Sequence, residues 1–273
     1  MICFPNCKIN LGLFVTHRRE DGYHDIETVF YPVEPPRHSL QQAAGAADGY
    51  TTVLNDVLEI VPAANGITTL HLSGLAVDGE VTSNLVWKAY NLLVQDYGTR
   101  IPPLDIYLHK ATPMGAGLGG GSADGAYMLR LLNDYCGLNI GKEQLIAYAL
   151  QLGSDCPFFI VNTPQFATGR GEQMTPVAAD LSGYDIRVVC PGIHVSTRDA
   201  FAAITPRTAP FDLRNIASFP VSEWKDHITN DFETTVFKIH PELGRIKQQL
   251  YDAGALYASM TGTGSAVYGI FPR

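Results

Sequence analysis

Short stretches of the chain alternate apolar with polar or small residues, which is the pattern of half-buried β-strands. Residues 9–13 alternate in this way, and residues 27–33 are rich in β-branched and aromatic side chains. The Asp21-Gly22 pair between them predicts a hairpin turn. Further strands are predicted at 57–61, 68–72, 104–108, 186–190, 256–260 and 266–271.

Other stretches repeat their apolar residues every three to four positions, as amphipathic helices do. One helix is predicted to begin near Ser83, with Ser83 or Asn84 as its N-cap. Further helices are predicted over 123–135, 142–152 and 241–253. Strands and helices that mix without regular β-α-β alternation predict an α+β fold. The pattern restarts after residue 165, so we expect two domains, 1–165 and 166–273.

Residues 34–52 follow neither pattern. They open with Glu34-Pro35-Pro36 and continue with Ala, Gln and Gly. We interpret them as an inserted surface loop without chemistry.

The charge balance disfavours some classes of partner. The 273 residues contain 19 basic and 27 acidic side chains, which give a net charge of −8. Such a chain does not favour general binding to nucleic acids or anionic membranes, because their phosphates would be repelled. Binding of a single phosphorylated ligand is compatible with this net charge, since a local pocket can attract a phosphate although the whole chain is negative.

Targeting signals and the spacing of cysteines indicate the cellular compartment of a protein. No stretch reaches the ~18 apolar residues of a membrane-spanning helix, and the amino terminus shows no signal-peptide pattern. The five cysteines are scattered, without a CxxC pair or a Cys/His cluster. Neither a disulfide framework nor a zinc site is expected, and we expect a cytoplasmic protein.

Residues 115–121, the glycine loop, carry five glycines in seven positions between a predicted strand and a predicted helix. Glycine lets successive backbone N–H groups turn inward around an anion, and the helix that follows directs its unpaired N–H groups to the same place. Ser122 either caps that helix or touches a phosphate or metal. The loop is predicted to bind phosphate, with a flexible turn as the alternative.

Common nucleotide-binding motifs do not account for the glycine loop. Gly115-x-Gly117-x-x-Gly120 matches the dinucleotide fingerprint, but the strand before it alternates instead of being apolar on both faces. Gly141-Lys142 lacks the other residues of a P-loop, and neither His-Arg-Asp nor Asp-Phe-Gly of the protein kinases occurs.

Three segments resemble motifs of the GHMP kinases (galacto-, homoserine, mevalonate and phosphomevalonate kinases). Residues 113–123 (PMGAGLGGGSA) resemble the second motif, 8–11 (KINL) the amino-terminal motif and 260–265 (MTGTGS) the carboxy-terminal glycine motif. Similarity to the branch that acts on 4-diphosphocytidyl-2-C-methyl-D-erythritol lies at 5–13, 21–24, 27–30, 152–159 and 230–233. The resemblance covers most of the chain outside residues 34–52.

The resemblance implies a fold and an activity. It implies a two-lobed α+β architecture with the active site in the cleft between the lobes. The implied reaction is phosphorylation of the 2-hydroxyl of 4-diphosphocytidyl-2-C-methyl-D-erythritol by ATP with Mg²⁺, in isoprenoid and terpenoid precursor biosynthesis. Two alternatives stay open, another small-molecule kinase of the family and a nucleotide-binding module without catalysis.

The resemblance assigns catalysis to Lys8 and Asp155. Asp155 precedes Pro157, which fits the first turn of a helix, where an Asp otherwise complements the helix dipole. The matching family aspartate orients the substrate hydroxyl and accepts its proton late, which suits a loose transition state. The matching lysine keeps that carboxylate ionised, whereas a lysine in an apolar strand more often extends to solvent.

Binding residues are assigned in the same way. Tyr23, His24 and Phe201 are implied to contact the cytidine, with a hairpin turn and a core Phe as the alternatives. For Asn84 and Lys110, implied near ATP, the alternatives are a helix cap and a solvated surface lysine. The ATP set is Pro113, Met114, Gly115, Ala116, Gly117, Leu118, Gly119, Gly120, Gly121, Ser122, Ala123, Asn84, Leu85 and Lys110. The substrate set is Asn10, Tyr23, His24, Thr197, Phe201, Gly262, Thr263 and Gly264, and Ser122 is the candidate metal ligand.

Overall fold

The computed structural model describes residues 1–33, 55–77 and 79–273; the predicted loop at 34–52 lies outside them. The strands are β1 Ile2–Cys3, β2 Cys7–Arg18, β3 His24–Val33, β4 Val57–Pro62, β5 Thr69–Gly74, β6 Leu104–Lys110, β7 Gln165–Thr168, β8 Gln173–Pro176, β9 Tyr184–Val189, β10 Tyr257–Met260 and β11 Val267–Pro272. The helices are α1 Leu85–Tyr97, α2 Gly120–Tyr135, α3 Lys142–Leu152, α4 Cys156–Val161, α5 Thr197–Ala202, α6 Trp224–His227, α7 Glu233–Ile239 and α8 Pro241–Asp252.

The described residues form two compact units that interleave along the chain. The first unit contains Met1–Cys7, Gly119–Asn162 and the described part of 54–114. The second contains Gly115–Leu118, Thr163–Arg273 and the described part of 8–53. The domains 1–165 and 166–273 stay a prediction, because a sequence domain and a compact unit are different divisions of a chain.

The first unit is a four-stranded sheet covered by helices. Its strand order is β1-β4-β6-β5, with β6 antiparallel to β4 and parallel to β5. Every second residue of β6 is buried, from Leu104 to Lys110, because successive side chains point to opposite faces of a sheet. α2 contacts α1, α3 and α4 as well as β1 and β4, so the helix that follows the glycine loop lies at the centre of this unit.

The second unit contains two sheets, with strand orders β2-β3-β7-β8 and β10-β11-β9. β11 is antiparallel to both of its neighbours. α8 packs against β10 and β11 and buries Leu243 and Leu250. An apolar core in this unit includes Phe232, Met260 and Phe271.

Most predicted strands and helices are confirmed. The starts of α1 and α2 also show which residues cap these two helices. The side chain of Asn84 accepts a hydrogen bond from the backbone N of Val86 at 2.9 Å, so Asn84 caps α1. α2 begins earlier than predicted, with Gly119 at its cap position and a φ of +72°. Ser122 therefore lies inside α2 and is not its N-cap. No helix in the described residues is long and apolar enough to cross a membrane.

Candidate active site

The backbone of the glycine loop requires glycine at several positions. Gly115, Gly117 and Gly119 have φ values of +69°, +80° and +72°, in the left-handed region that other residues rarely adopt. At Gly117 an added Cβ would also lie 2.1 Å from the carbonyl oxygen of Thr261. The loop conformation therefore depends on these residues being glycine.

Carbonyl groups in the middle of the loop face other residues of the second unit. Leu118 O accepts a hydrogen bond from Lys8 N at 2.9 Å, and Ala116 O accepts one from Ala266 N at 3.1 Å. Gly117 O lies 3.0 Å from Thr261 Oγ1. In a trans peptide the N–H points opposite to the C=O, so the N–H groups of residues 117–119 point away from these partners, as an anion-binding loop requires.

In the first unit, Ser122 near the start of α2 contacts Cys156, the residue that follows Asp155. The Ser122 side chain hydrogen-bonds to that of Cys156, and burial raises the pKa of Cys156 to about 12. Asp155 precedes Cys156 at the cap position of α4, but its side chain makes no capping hydrogen bond. The helix start is therefore confirmed, while the carboxylate is not used to cap it.

Lys8 is buried, so the alternative that it extends to solvent is wrong. Its Nζ donates a hydrogen bond to Asn10 Oδ1 at 2.7 Å and lies 4.9 Å from the ring centroid of Phe30. Asn10 Oδ1 also accepts from Gly262 N at 3.0 Å, and Asn10 Nδ2 donates to Thr28 Oγ1 at 2.9 Å. Asn10 thus joins the ammonium group of Lys8 to the turn at residues 262–264.

The 230–233 segment supports that turn from another side. Asn230 Nδ2 donates to the carbonyl oxygens of Met260 and Gly262, both at 2.8 Å. Asp231 Oδ2 accepts from Val15 N at 2.9 Å, which fixes the segment to β2. The sequence motif at these positions is thereby explained as a structural support.

Two of the three residues predicted to contact cytidine stack on each other in the second unit. The rings of His24 and Phe201 stack with centroids 5.1 Å apart and an interplanar angle of 25°. Phe232 supports Phe201 edge-on at 4.8 Å, so Phe201 both contacts the core and reaches His24. Tyr23 is 57% exposed, and the Arg170 guanidinium lies 5.0 Å from its ring centroid.

Partial burial lowers the pKa of His24, and the nearby Arg18 adds to this effect. A neutral imidazole carries one donor and one acceptor nitrogen, as recognition of a base edge requires. Thr197 and Thr263, two further predicted substrate residues, lie with their hydroxyl oxygens 3.3 Å apart. The structure therefore brings the helix α5 and the 262–264 turn together within this unit.

Lys110 is also buried, so the solvated alternative is wrong. Its Nζ donates to Asp124 Oδ2 at 2.6 Å and to the carboxylate of Asp56. Neither Asp56 nor Asp124 belongs to a motif that the sequence predicts to be functional. Asp124 shares a helix face with the buried Met128 and Leu131, and a carboxylate at such a position signals a buried partner of opposite charge.

The predicted residues thus fall into two groups. The first unit contains Asp155, the starts of α1 and α2, and Lys110, and Leu85 packs against Gly125 of α2. The second contains Lys8, Asn10, the middle of the glycine loop and the substrate set. The proximity of Lys8 to Asp155 stays a prediction.

Comparison with known proteins gives the family. Residues 84–163 match the GHMP kinases N terminal domain, and residues 213–273 match the GHMP kinases C terminal domain. A 4-diphosphocytidyl-2-C-methyl-D-erythritol kinase from Parabacteroides distasonis is 50% identical over 100% of this chain and 92% of the relative. The chain belongs to the GHMP kinase family.

One further relative and two solved structures are also similar to this chain. A 4-diphosphocytidyl-2-C-methyl-D-erythritol kinase from Cytophaga hutchinsonii is 42% identical over 99% of this chain and 92% of the relative. A crystal structure of 4-(cytidine 5'-diphospho)-2C-methyl-D-erythritol kinase has a TM-score of 0.73 at 29% identity, with 99% of this chain and 90% of that chain covered. The Methanococcus jannaschii mevalonate kinase, with a TM-score of 0.68 at 13% identity over 99% of this chain and 90% of that chain, shares the fold.

Membership of the GHMP kinases confirms the predicted fold class, with amino- and carboxy-terminal domains built from mixed helices and sheets. It also makes the chain a phosphotransferase that uses ATP.

Proposed function

We propose that this GHMP kinase transfers the γ-phosphoryl group of ATP to the 2-hydroxyl of 4-diphosphocytidyl-2-C-methyl-D-erythritol. The observation that carries the proposal is the His24–Phe201 stack, whose centroids lie 5.1 Å apart. Stacking of a flat base on an aromatic ring contributes ~1–3 kcal/mol per base. A polyol without a base has no flat ring that could stack in this way. The names of the relatives at 42% and 50% identity support the same substrate and a role in isoprenoid precursor biosynthesis.

The glycine loop is proposed to receive the ATP phosphates. The N–H groups of residues 117–119 point away from the protein partners of the loop carbonyls. The first N–H groups of α2, a helix of 16 residues, add unpaired donors and the positive end of the helix dipole. Phosphate oxygens match both sets of donors.

Mg²⁺ is proposed to accompany ATP. In the described residues no group of three or more His, Cys, Asp or Glu side chains forms an all-protein metal site, and Mg²⁺ needs none, because it binds through one or two carboxylates together with phosphates and water. Ser122 and Asp155 supply hard oxygen donors in the first unit, so the residues fit this ion. When bound, it would neutralise charge on the transferring phosphates.

The catalytic roles are proposed for Asp155 and Lys8. Asp155 orients the acceptor hydroxyl and takes its proton late, since positioning outweighs basicity in a loose transition state. The buried ammonium of Lys8, fixed by Asn10 and the ring of Phe30, keeps the carboxylate ionised and stabilises the developing alkoxide. A cytoplasmic location is proposed as well, on the scattered spacing of the five cysteines in the sequence, which is not that of a disulfide framework.

The test is phosphoryl transfer from ATP to the full substrate and to the same polyol phosphate without its cytidylyl group. We expect kcat/KM to fall by about 5- to 150-fold without the base, as ~1–3 kcal/mol of stacking requires. Equal kcat/KM for both acceptors would support another small-molecule kinase of the family. Binding of ATP without transfer to either acceptor would support a non-catalytic nucleotide-binding module.

A further inference from the structure

A buried charge cluster links the two ends of the glycine loop within the first unit. Lys110, the last residue of β6, donates to Asp124 on α2 at 2.6 Å and to Asp56 ahead of β4. The three side chains are at most 4% exposed. Buried charges persist in proteins where they are paired and hydrogen-bonded, so the three side chains are mutually dependent.

Asp56 also fixes the backbone that leads into the loop. Its Oδ1 accepts hydrogen bonds from Ala111 N at 2.6 Å and from Thr112 N at 2.8 Å. At Gly120, where α2 begins, an added Cβ would lie 3.0 Å from Thr112 Cγ2 and 3.4 Å from Lys110 Nζ. The entry to the loop and the start of α2 therefore pack directly on the charge cluster.

The cluster has no excess positive charge to offer a phosphate. Two carboxylates surround the single ammonium of Lys110, so its charge is already compensated. Asp124 Oδ1 is buried and has no hydrogen-bond partner in the described residues, and burial raises the pKa of Asp124 to about 8 against the opposing effect of Lys110. A proton on this carboxyl brings the net charge of the cluster to zero and still leaves no surplus cation.

We propose that Asp56, Lys110 and Asp124 form a clamp that keeps the glycine loop in its ATP-binding shape. Lys110 is then a positioning residue that acts through the loop and does not bind the nucleotide itself. The inference rests on the proposed function of the loop as the ATP site.

The clamp is tested by measuring the Kd of ATP by titration calorimetry and the KM of the diphosphocytidyl substrate. Lys110→Met leaves the buried Asp56 carboxylate without its cation and facing a second acidic group, Asp124, so we expect the Kd of ATP to rise at least about tenfold. Lys110→Met/Asp124→Asn replaces the second acidic group by an amide that can donate to the Asp56 carboxylate, and we expect its Kd to return to within about threefold of the parent value. Asp105→Asn, on the opposite face of β6, is the matched control and is expected to leave both constants unchanged.

A Lys110 that bound the nucleotide directly would give a different result. The second substitution would then fail to restore ATP binding, and that outcome would overturn the clamp. If Lys110→Met does not fold, Asp124→Asn alone tests the clamp. We then expect the Kd of ATP to rise about threefold while the KM of the diphosphocytidyl substrate stays unchanged. A Kd equal to that of Asp105→Asn would contradict the clamp. Failure of the proposed function is distinguishable, because the parent enzyme would then bind ATP without phosphorylating the diphosphocytidyl substrate.

Discussion

Lys8 Nζ donates a hydrogen bond of 2.7 Å to Asn10 Oδ1, and both side chains are buried. The two residues are two positions apart and therefore share one face of β2. Asn10 Oδ1 also accepts from Gly262 N at 3.0 Å. The ammonium group is thus fixed to the 262–264 turn before any ligand arrives, which is the preorganisation that electrostatic catalysis requires.

We expect Lys8→Met to lower kcat by ~10²–10³-fold, because the charge proposed to stabilise the developing alkoxide is lost. The free energy of unfolding should stay equal or rise, since an apolar side chain of similar volume replaces a buried charge. Steady-state kinetics and urea unfolding measure the two effects. Lys142→Met at the exposed start of α3 is the control, and a Lys8→Met enzyme with parent-like kcat would place Lys8 outside catalysis.

Asp155→Asn is expected to lower kcat by ~10²–10⁴-fold, because the amide cannot accept the hydroxyl proton. The Kd of ATP should not change, and the fold should persist, since the Asp155 side chain makes no capping hydrogen bond to α4. Single-turnover kinetics and calorimetry separate the two quantities. Asp134→Asn, exposed on α2, is the control; turnover of Asp155→Asn close to that of the control would contradict the assignment.

Phe201→Leu is expected to raise the KM of the cytidylyl substrate by about 5- to 150-fold, corresponding to one lost stacking contact. Leucine keeps apolar contact with Phe232, so the KM of ATP should stay the same. Phe219→Leu is the matched control, because Phe219 stacks on His227 at 4.5 Å elsewhere in the second unit. Equal changes in both KM values would show that Phe201 serves the core alone.

Two glycines of the loop are predicted to respond differently to alanine. Gly117→Ala places a Cβ 2.1 Å from Thr261 O at a φ of +80°, so we expect it to destabilise the fold by ~2–4 kcal/mol. Gly121→Ala meets only Met114 Cε at 3.7 Å and favours α2 by ~0.5–1 kcal/mol. Its methyl group nevertheless stands beside the proposed phosphate site, so the KM of ATP should rise.

Urea unfolding and ATP kinetics of the two variants are compared with those of Gly141→Ala, where an added Cβ meets nothing within 4 Å. A Gly121→Ala enzyme that is stable and has the parent KM for ATP would argue against phosphate binding at the start of α2.

Local patterns in the sequence predicted most of the fold. Alternation in residues 104–108 marked β6, because one face of that strand is buried. Alternation in residues 9–13 also marked β2, but the half-buried strand expected there is wrong, since residues 7–15 are buried on both faces. The start of α2 was missed, since Gly119 in a left-handed conformation ends the loop and a run of glycines shows no period. Caps and glycine runs are decided by backbone geometry that hydrophobic patterning does not contain.

The site was predictable only in part. Motif similarity pointed to Lys8 and Asp155. The contacts of the buried Lys8 ammonium group with Asn10 and with the ring of Phe30, however, could not be predicted from the motif. The partners of Lys110 lie 54 and 14 positions away along the chain. Such pairings arise from tertiary contacts, so a single sequence indicates a buried charge without naming its partner.

The carboxyl group of Asp124 makes the stability of the protein depend on pH. Burial raises the pKa of Asp124 from 3.8 to about 8, while Lys110 opposes this and Asp56 adds to it. From β1 the thiol of Cys3 also faces Asp124, but burial raises the pKa of Cys3 to about 12, so this thiol stays protonated below pH 8. Between pH 4 and 8 the native state therefore holds a proton at Asp124 that the unfolded chain releases.

Because the native state binds more protons in this window, the free energy of unfolding should fall as pH rises, by up to about 1.4 kcal/mol per pH unit for one proton. The contribution is fully present below the unfolded pKa and is lost as pH rises through the folded value. Asp124→Asn removes the titrating group, so its free energy of unfolding should fall less steeply between pH 5 and 8, as urea unfolding at each pH measures. Asp134→Asn should keep the parent slope, and parallel slopes for Asp124→Asn and the parent would mean that Asp124 is already ionised at pH 5.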